Sequence, residues 1–135
     1  MIKRVDHIDI AVKDVDRATK LFEKMGFKLV RRTTHGGGNG SAELKLPGAN
    51  QIIFELFPVM PQFLDGKPGV RHVALLVDDA QKTFDELKAK GIRSYQEKPG
   101  FIPETGRILF NCEDDDLGTF AMQFQEEEKN PSVSC

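Results

Sequence analysis

The chain has 135 residues, 39% apolar and 30% charged, with a formal net charge of −2, the composition of one ordinary globular domain with a sizeable core. No basic block exists beyond Arg31-Arg32, which argues against a nucleic-acid partner or a membrane surface and leaves small-molecule chemistry as the expectation. No apolar run approaches the roughly 20 residues of a membrane span, and MIKRVDH enters a strand pattern without a signal-peptide core, so a cytoplasmic location is expected.

From Val5 to Val12 the residues Val5, His7, Asp9 and Ala11 alternate with Ile8, Ile10 and Val12, the period-two pattern of a strand buried on one side. His7 is thereby placed on the face away from the apolar layer. Asp14 stands at a helix N-cap position, Ala18, Leu21, Phe22 and Met25 follow at helical spacing as an inner face, and Gly26 supplies the stop. Phe27 to Thr34 reads as the next strand. His35 to Gly40, a glycine-rich run, reads as a flexible connection, because it lacks the GK[ST] ending and following helix of a phosphate loop. Ser41 to Leu46 and Gln51 to Phe57 are two more strands separated by the turn Pro47-Gly48-Ala49-Asn50. Glu55 shares a strand face with apolar neighbours, and a carboxylate held there needs a partner.

Pro58 to Gly69, with three prolines and two glycines, is a linker. The strand Val70 to Val77 then leads into a helix with Asp79 near its cap, Ala80, Phe84 and Leu87 inside, and Gly91 as its stop. Ile92 to Gln96, Arg107 to Asn111 and Thr119 to Gln125 are the remaining predicted strands. Residues 126 to 135, EEEKNPSVSC, have little to bury and read as a disordered tail. The two cysteines, Cys112 and Cys135, make neither a CxxC pair nor a disulfide framework.

One stretch is written twice. At a constant offset Val5 matches Val70, His7 matches His72, Ile10 matches Leu75, Val12 matches Val77, Asp14 matches Asp79 and Gly26 matches Gly91. A register kept without a gap through strand, helix and helix stop marks two copies of one β-α-β-β-β unit, each with a histidine at the same strand position. The fold class expected is α+β: tandem modules, 1–57 and 70–125 about a linker at 58–69, in one domain over residues 1–128.

This arrangement, carried by VDHIDIAV, IIFELF, GVRHVALLVDD, the helix end AKGI and DDLGTFAMQF, resembles the vicinal oxygen chelate superfamily. Its members include glyoxalase I, methylmalonyl-CoA epimerase, extradiol dioxygenases and bleomycin-binding proteins. The resemblance implies a curved, cup-shaped mixed sheet with helices outside, a divalent metal ion (zinc, nickel, cobalt, manganese or iron) in the cup, and a homodimer. It places metal ligands at His7, Glu55, His72 and a fourth position on the last strand. Counted from Gly118, the family motif puts that ligand at Met122. Strand parity instead sets Phe120, Met122 and Phe124 in the core and turns Gln123 to the cup, and the internal repeat matches Glu55 with Gln123, so Gln123 is taken as the fourth ligand.

Two imidazoles and one carboxylate are a ligand set suited to those metals. The implied activity is that of an isomerase or lyase working through an enolate, as in glyoxalase I and the epimerases. Gln123 cannot abstract a proton, and Glu43 is the substitute base, since Leu44 and Leu46 take the core side of their strand. Loss of the last-strand carboxylate also suits a non-catalytic, bleomycin-resistance-like binding protein. An iron-dependent extradiol-type dioxygenase is a third reading, disfavoured by the carboxylate coming from the first unit.

Overall fold

Two helices with the same start and stop devices organise the chain. The structure, a computed structural model, describes residues 1–33, 40–62, 64–103, 106–113, 115–118 and 120–127. β1 (Ile2–Val12) runs into α1 (Val15–Lys24), whose N-cap carboxylate Asp14 accepts from the Arg17 amide at 3.0 Å. β5 (Gly69–Val77) runs into α2 (Ala80–Ala89), where Asp79 accepts from the Lys82 amide at 3.0 Å. Each cap satisfies one of the amides that a helix leaves unpaired at its N-terminus. At the other ends Gly26 and Gly91 take φ of 106° and 84°. The amides of Phe27 and Ile92 then close back on Phe22 and Leu87 at 3.1 and 2.9 Å, a Schellman closure that glycine's left-handed φ permits.

The chain divides into two compact units, one spanning His7–Arg71 and the other joining Met1–Asp6 to the described residues from His72 onward. In the first, β2 (Lys28–Thr33), β3 (Ser41–Lys45) and β4 (Ile53–Pro58) follow α1. The strand order is β2-β3-β4-β1, with β1 and β4 parallel and the other pairs antiparallel. Val15, Ala42, Leu44 and Leu56 are its buried centre, with Ile10, Val12, Ala18, Phe22 and Phe27 packed around them. The rings of Phe22, Phe27 and Phe54 meet with centroids 4.9 to 5.7 Å apart, within the range of favourable tilted pairs.

The second unit repeats the plan with α2, β6 (Gly100–Ile102), β7 (Arg107–Cys112) and β8 (Ala121–Gln125), in the order β5-β8-β7-β6, with β5 and β8 parallel. Val77, Ala80, Phe84, Phe110, Cys112 and Phe124 form its core. Phe110 is fully buried, edge-on to Phe84 at 5.2 Å and stacked on Phe124 at 4.9 Å. The α+β class and the two β-α-β-β-β modules are thus as expected.

Three details differ from the sequence reading. The strand expected at Ile92–Gln96 is absent: Ser94 makes only an isolated bridge to Cys112, and the edge strand is β6, after Pro99. Ser94 and Gln96 use their side chains to bond Asn111 instead of continuing a ladder, the competition that polar side chains offer to regular structure. Leu21 and Met25, assigned to the inner face of α1, are 53% and 59% exposed, and Val15 and Thr19 are buried in their place. Leu46, expected on the core side of its strand, falls beyond β3 and is 39% exposed. Thr34 at the end of its expected strand, most of the glycine-rich connection (residues 35–39) and the tail from residue 128 lie outside the described residues.

Phe110→Ala should cost about 3 to 5 kcal/mol in urea unfolding, as expected for an aromatic ring removed from a packed core. Leu21→Ala should cost roughly 0.5 kcal/mol or less, as for other surface substitutions. The reverse ranking would place the core elsewhere.

Candidate functional site

In a sheet, directly paired residues carry their side chains on the same face. The register of the first unit sets Arg31 opposite Glu43, Glu43 opposite Glu55, and Glu55 opposite Asp9. Four neighbouring strands thereby line up one guanidinium and three carboxylates in a single row. Arg31 Nε donates to Glu43 Oε2 at 2.8 Å. At the far end Arg71 Nη2 donates to Asp9 Oδ2 at 2.7 Å, with Asp9 fully buried. The same guanidinium lies 3.8 Å from the centre of the Phe57 ring, a cation–π contact that fixes its plane.

The row therefore reads plus, minus, minus, minus, plus, and its middle member is Glu55. Strands lie about 4.8 Å apart, so each flanking carboxylate repels Glu55 by about 3 kcal/mol at an effective dielectric constant of about 20. Burial, then the charge and hydrogen bond of Asp9, then the charge of Glu43, raise the Glu55 carboxyl well above its ordinary 4.5, with Arg71 opposing. The residue that meets this excess of negative charge is His7, whose Nε2 is 3.8 Å from Glu55 Oε1, with the two side chains 9% and 15% exposed. His7 and Glu55 thus stand together in the first unit, and His72 takes the matching strand position in the second.

The second unit carries the same row without the charge. Ala74, two residues past His72, is opposite Gln123, and Gln123 is opposite Asn111. Alanine, glutamine and asparagine thus occupy the places that Asp9, Glu55 and Glu43 hold in the first unit. Gln123 Nε2 donates to Asn111 Oδ1 at 3.2 Å. Met122 faces Val73 and packs against the apolar core. The neighbouring Gln125, 1% exposed, is occupied structurally, donating to Asp6 at 2.8 Å and accepting from Arg107 at 3.2 Å. Glu43 is 8% exposed and held by Arg31.

Sequence reasoning did not single out Asp9, Arg31, Arg71, Asn111 and Gln96. Asp9 had a signal, because it follows His7 on the same strand face. Arg71 had none, since its partner lies 62 residues away and is found only through the pairing of strands. Arg71→Leu should leave the Asp9 carboxylate buried with its charge uncompensated, and a loss of about 3 to 5 kcal/mol in chemical unfolding is expected. A loss under 1 kcal/mol would show that the pair carries little of the fold.

The family model of the Glyoxalase/Bleomycin resistance protein/Dioxygenase superfamily matches residues 4–118. An uncharacterized Bacillus subtilis protein, YwbC, is 29% identical over 114 residues, covering 82% of this chain and 89% of its own. Among solved structures, methylmalonyl-CoA epimerase from Mycobacterium tuberculosis superposes with a TM-score of 0.76 at 22% identity, over 98% of this chain and 93% of that one. A variant of the Streptomyces coelicolor epimerase in complex with 2-nitronate-propionyl-CoA superposes with a TM-score of 0.75 at 21% identity, over 94% and 99%. At such identities the two epimerases share a fold with this protein. The family match spans most of the sequence, including both histidine-bearing strands, and the chain belongs to the Glyoxalase/Bleomycin resistance protein/Dioxygenase superfamily.

Proposed function

We propose that the protein is a metal-dependent isomerase or lyase of the glyoxalase I or methylmalonyl-CoA epimerase type. The observation that carries this reading is the charge imbalance around Glu55: three carboxylates in one row, two guanidiniums, and a histidine 3.8 Å from the middle acid. A divalent cation held by His7, Glu55 and His72, the ligand set that the family resemblance implies, would offset the remaining negative charge, and two imidazoles with a carboxylate fit zinc, nickel, cobalt, manganese or iron. When bound, such an ion supplies polarisation of a substrate carbonyl and stabilisation of the enolate that forms on proton loss.

The chain's own residues divide the remaining work. Asp9 is fully buried and tied to Arg71, so it holds the row in place. Gln123 offers a neutral oxygen as fourth ligand. Glu43, the carboxylate left over, is the proton acceptor, with Arg31 fixing its position. The epimerase neighbours make a branched acyl thioester the first substrate to test, and a hemithioacetal the second. A cytoplasmic homodimer working on small molecules completes the reading. The neutral Gln123 favours one alternative, a non-catalytic small-molecule binder. Metal bound without turnover of either substrate would select it, and iron with oxygen uptake would select a dioxygenase.

Two variants test the assignment. Without metal, the raised Glu55 carboxyl favours the protonated fold, so stability is fullest below the unfolded value of 4.5 and is lost as pH rises through the folded value. In chelator, Glu55→Gln should flatten that dependence and melt above wild type at pH 8, whereas in zinc it should melt below wild type. The same melting order in both buffers would contradict a ligand role. Glu43→Gln should lower turnover by about 10²- to 10⁴-fold, the usual share of a general base, with metal content unchanged. Retained turnover would assign the proton to another group.

A further inference from the structure

Asn111 is gripped by the loop that replaces the expected strand at 92–96. Ser94 Oγ donates to the Asn111 carbonyl at 2.6 Å and accepts from the Gln96 amide at 3.1 Å. The Asn111 backbone N–H donates to Gln96 Oε1 at 2.8 Å. A backbone N–H can only donate, so the end of Gln96 facing it must be the oxygen. That oxygen also takes Asn111 Nδ2 at 3.5 Å, while the Tyr95 hydroxyl accepts from the same Nδ2 at 3.3 Å. With its NH2 group facing the loop, Asn111 has only its carbonyl oxygen to offer β8, and that oxygen takes Gln123 Nε2 at 3.2 Å.

We infer that Gln96 and Asn111 are positioning residues that set the orientation of the Gln123 carboxamide, so that its carbonyl oxygen is the atom presented on the side away from β7. The orientation is passed along three amides from one backbone N–H, each fixing the next. A glutamine released from this chain could offer either end, and only the oxygen end serves as a metal ligand or accepts a hydrogen bond from substrate. The use of that oxygen as a ligand rests on the metal reading above; the orientation does not. With two neutral imidazoles and one carboxylate as the other ligands, a neutral oxygen leaves a divalent ion a net positive charge, which suits a substrate that becomes anionic as it reacts.

The test reads orientation and metal affinity separately. Solvent exchange of the Gln123 side-chain NH2 protons is followed by NMR in wild type, Asn111→Leu, Gln96→Leu and Gln96→Glu, and Co2+ affinity and absorption bands are measured on the same proteins. The NH2 group should exchange slowly in wild type and fast in both leucine variants. Gln96→Glu should restore slow exchange, since a carboxylate accepts the same two bonds. Co2+ affinity should fall about tenfold in the leucine variants, the lower end for outer-sphere partners of a ligand, with shifted bands, and recover in Gln96→Glu. Fast exchange in wild type, or slow exchange persisting in Asn111→Leu, would overturn the inference. The expected exchange pattern with Co2+ affinity unchanged across the series would overturn the ligand role of the oxygen. That pattern in a wild-type protein that binds no Co2+ would uphold the orientation and remove the metal reading instead.

Discussion

Three acids on adjacent strands, with two guanidiniums beside them among the described residues, is the constraint that organises the first unit. Arg71 and Arg31 close the two ends of the row, and each forms a short charge-assisted bond to the acid beside it. At Glu55 burial and the two flanking acids outweigh Arg71, and the middle acid stands 3.8 Å from His7. A hydrophobic replacement of such a row would fold at least as well, because burying charge seldom adds net stability. Its presence in so small a unit is better understood as preparation for a ligand than as a device for stability.

Duplication explains why the two units can be compared position by position. The caps Asp14 and Asp79, the stops Gly26 and Gly91, and the histidines His7 and His72 repeat. The face beyond the histidines does not. Where the first unit carries Asp9, Glu55 and Glu43, the second carries Ala74, Gln123 and Asn111. The first copy concentrates charge, and the second has exchanged it for amides whose orientation is set by neighbours.

Much of this was legible in the sequence because it is local. Helix caps and stops lie within a few residues of the elements they bound, and strand parity is set by nearest neighbours, which is why the pattern alone turned His7 away from the apolar layer, whereas a ligand role for Glu55 came only from the family resemblance. Parity also separated Gln123 from Met122, whose side chain packs into the core. What could not be read depends on register across strands. The Asp9–Arg71 pair joins residues 62 apart, and the alignment of Glu43 with Glu55 follows from how the third and fourth strands slide past each other. The Ser94–Gln96 loop was misread as a strand because its side chains, and not its backbone, carry the bonds to β7. Leu21 and Met25 have helical spacing yet face outward, since periodicity gives the stripe and not the side that will be covered.

The central claim is that the surplus carboxylate at Glu55 is matched by a cation shared with two imidazoles. X-ray absorption at the metal edge of the zinc-loaded protein tests it most directly. The account predicts scattering from two histidine rings and from carboxylate oxygen at bonding distance. A first shell of water oxygens alone, with no imidazole signature, would contradict it.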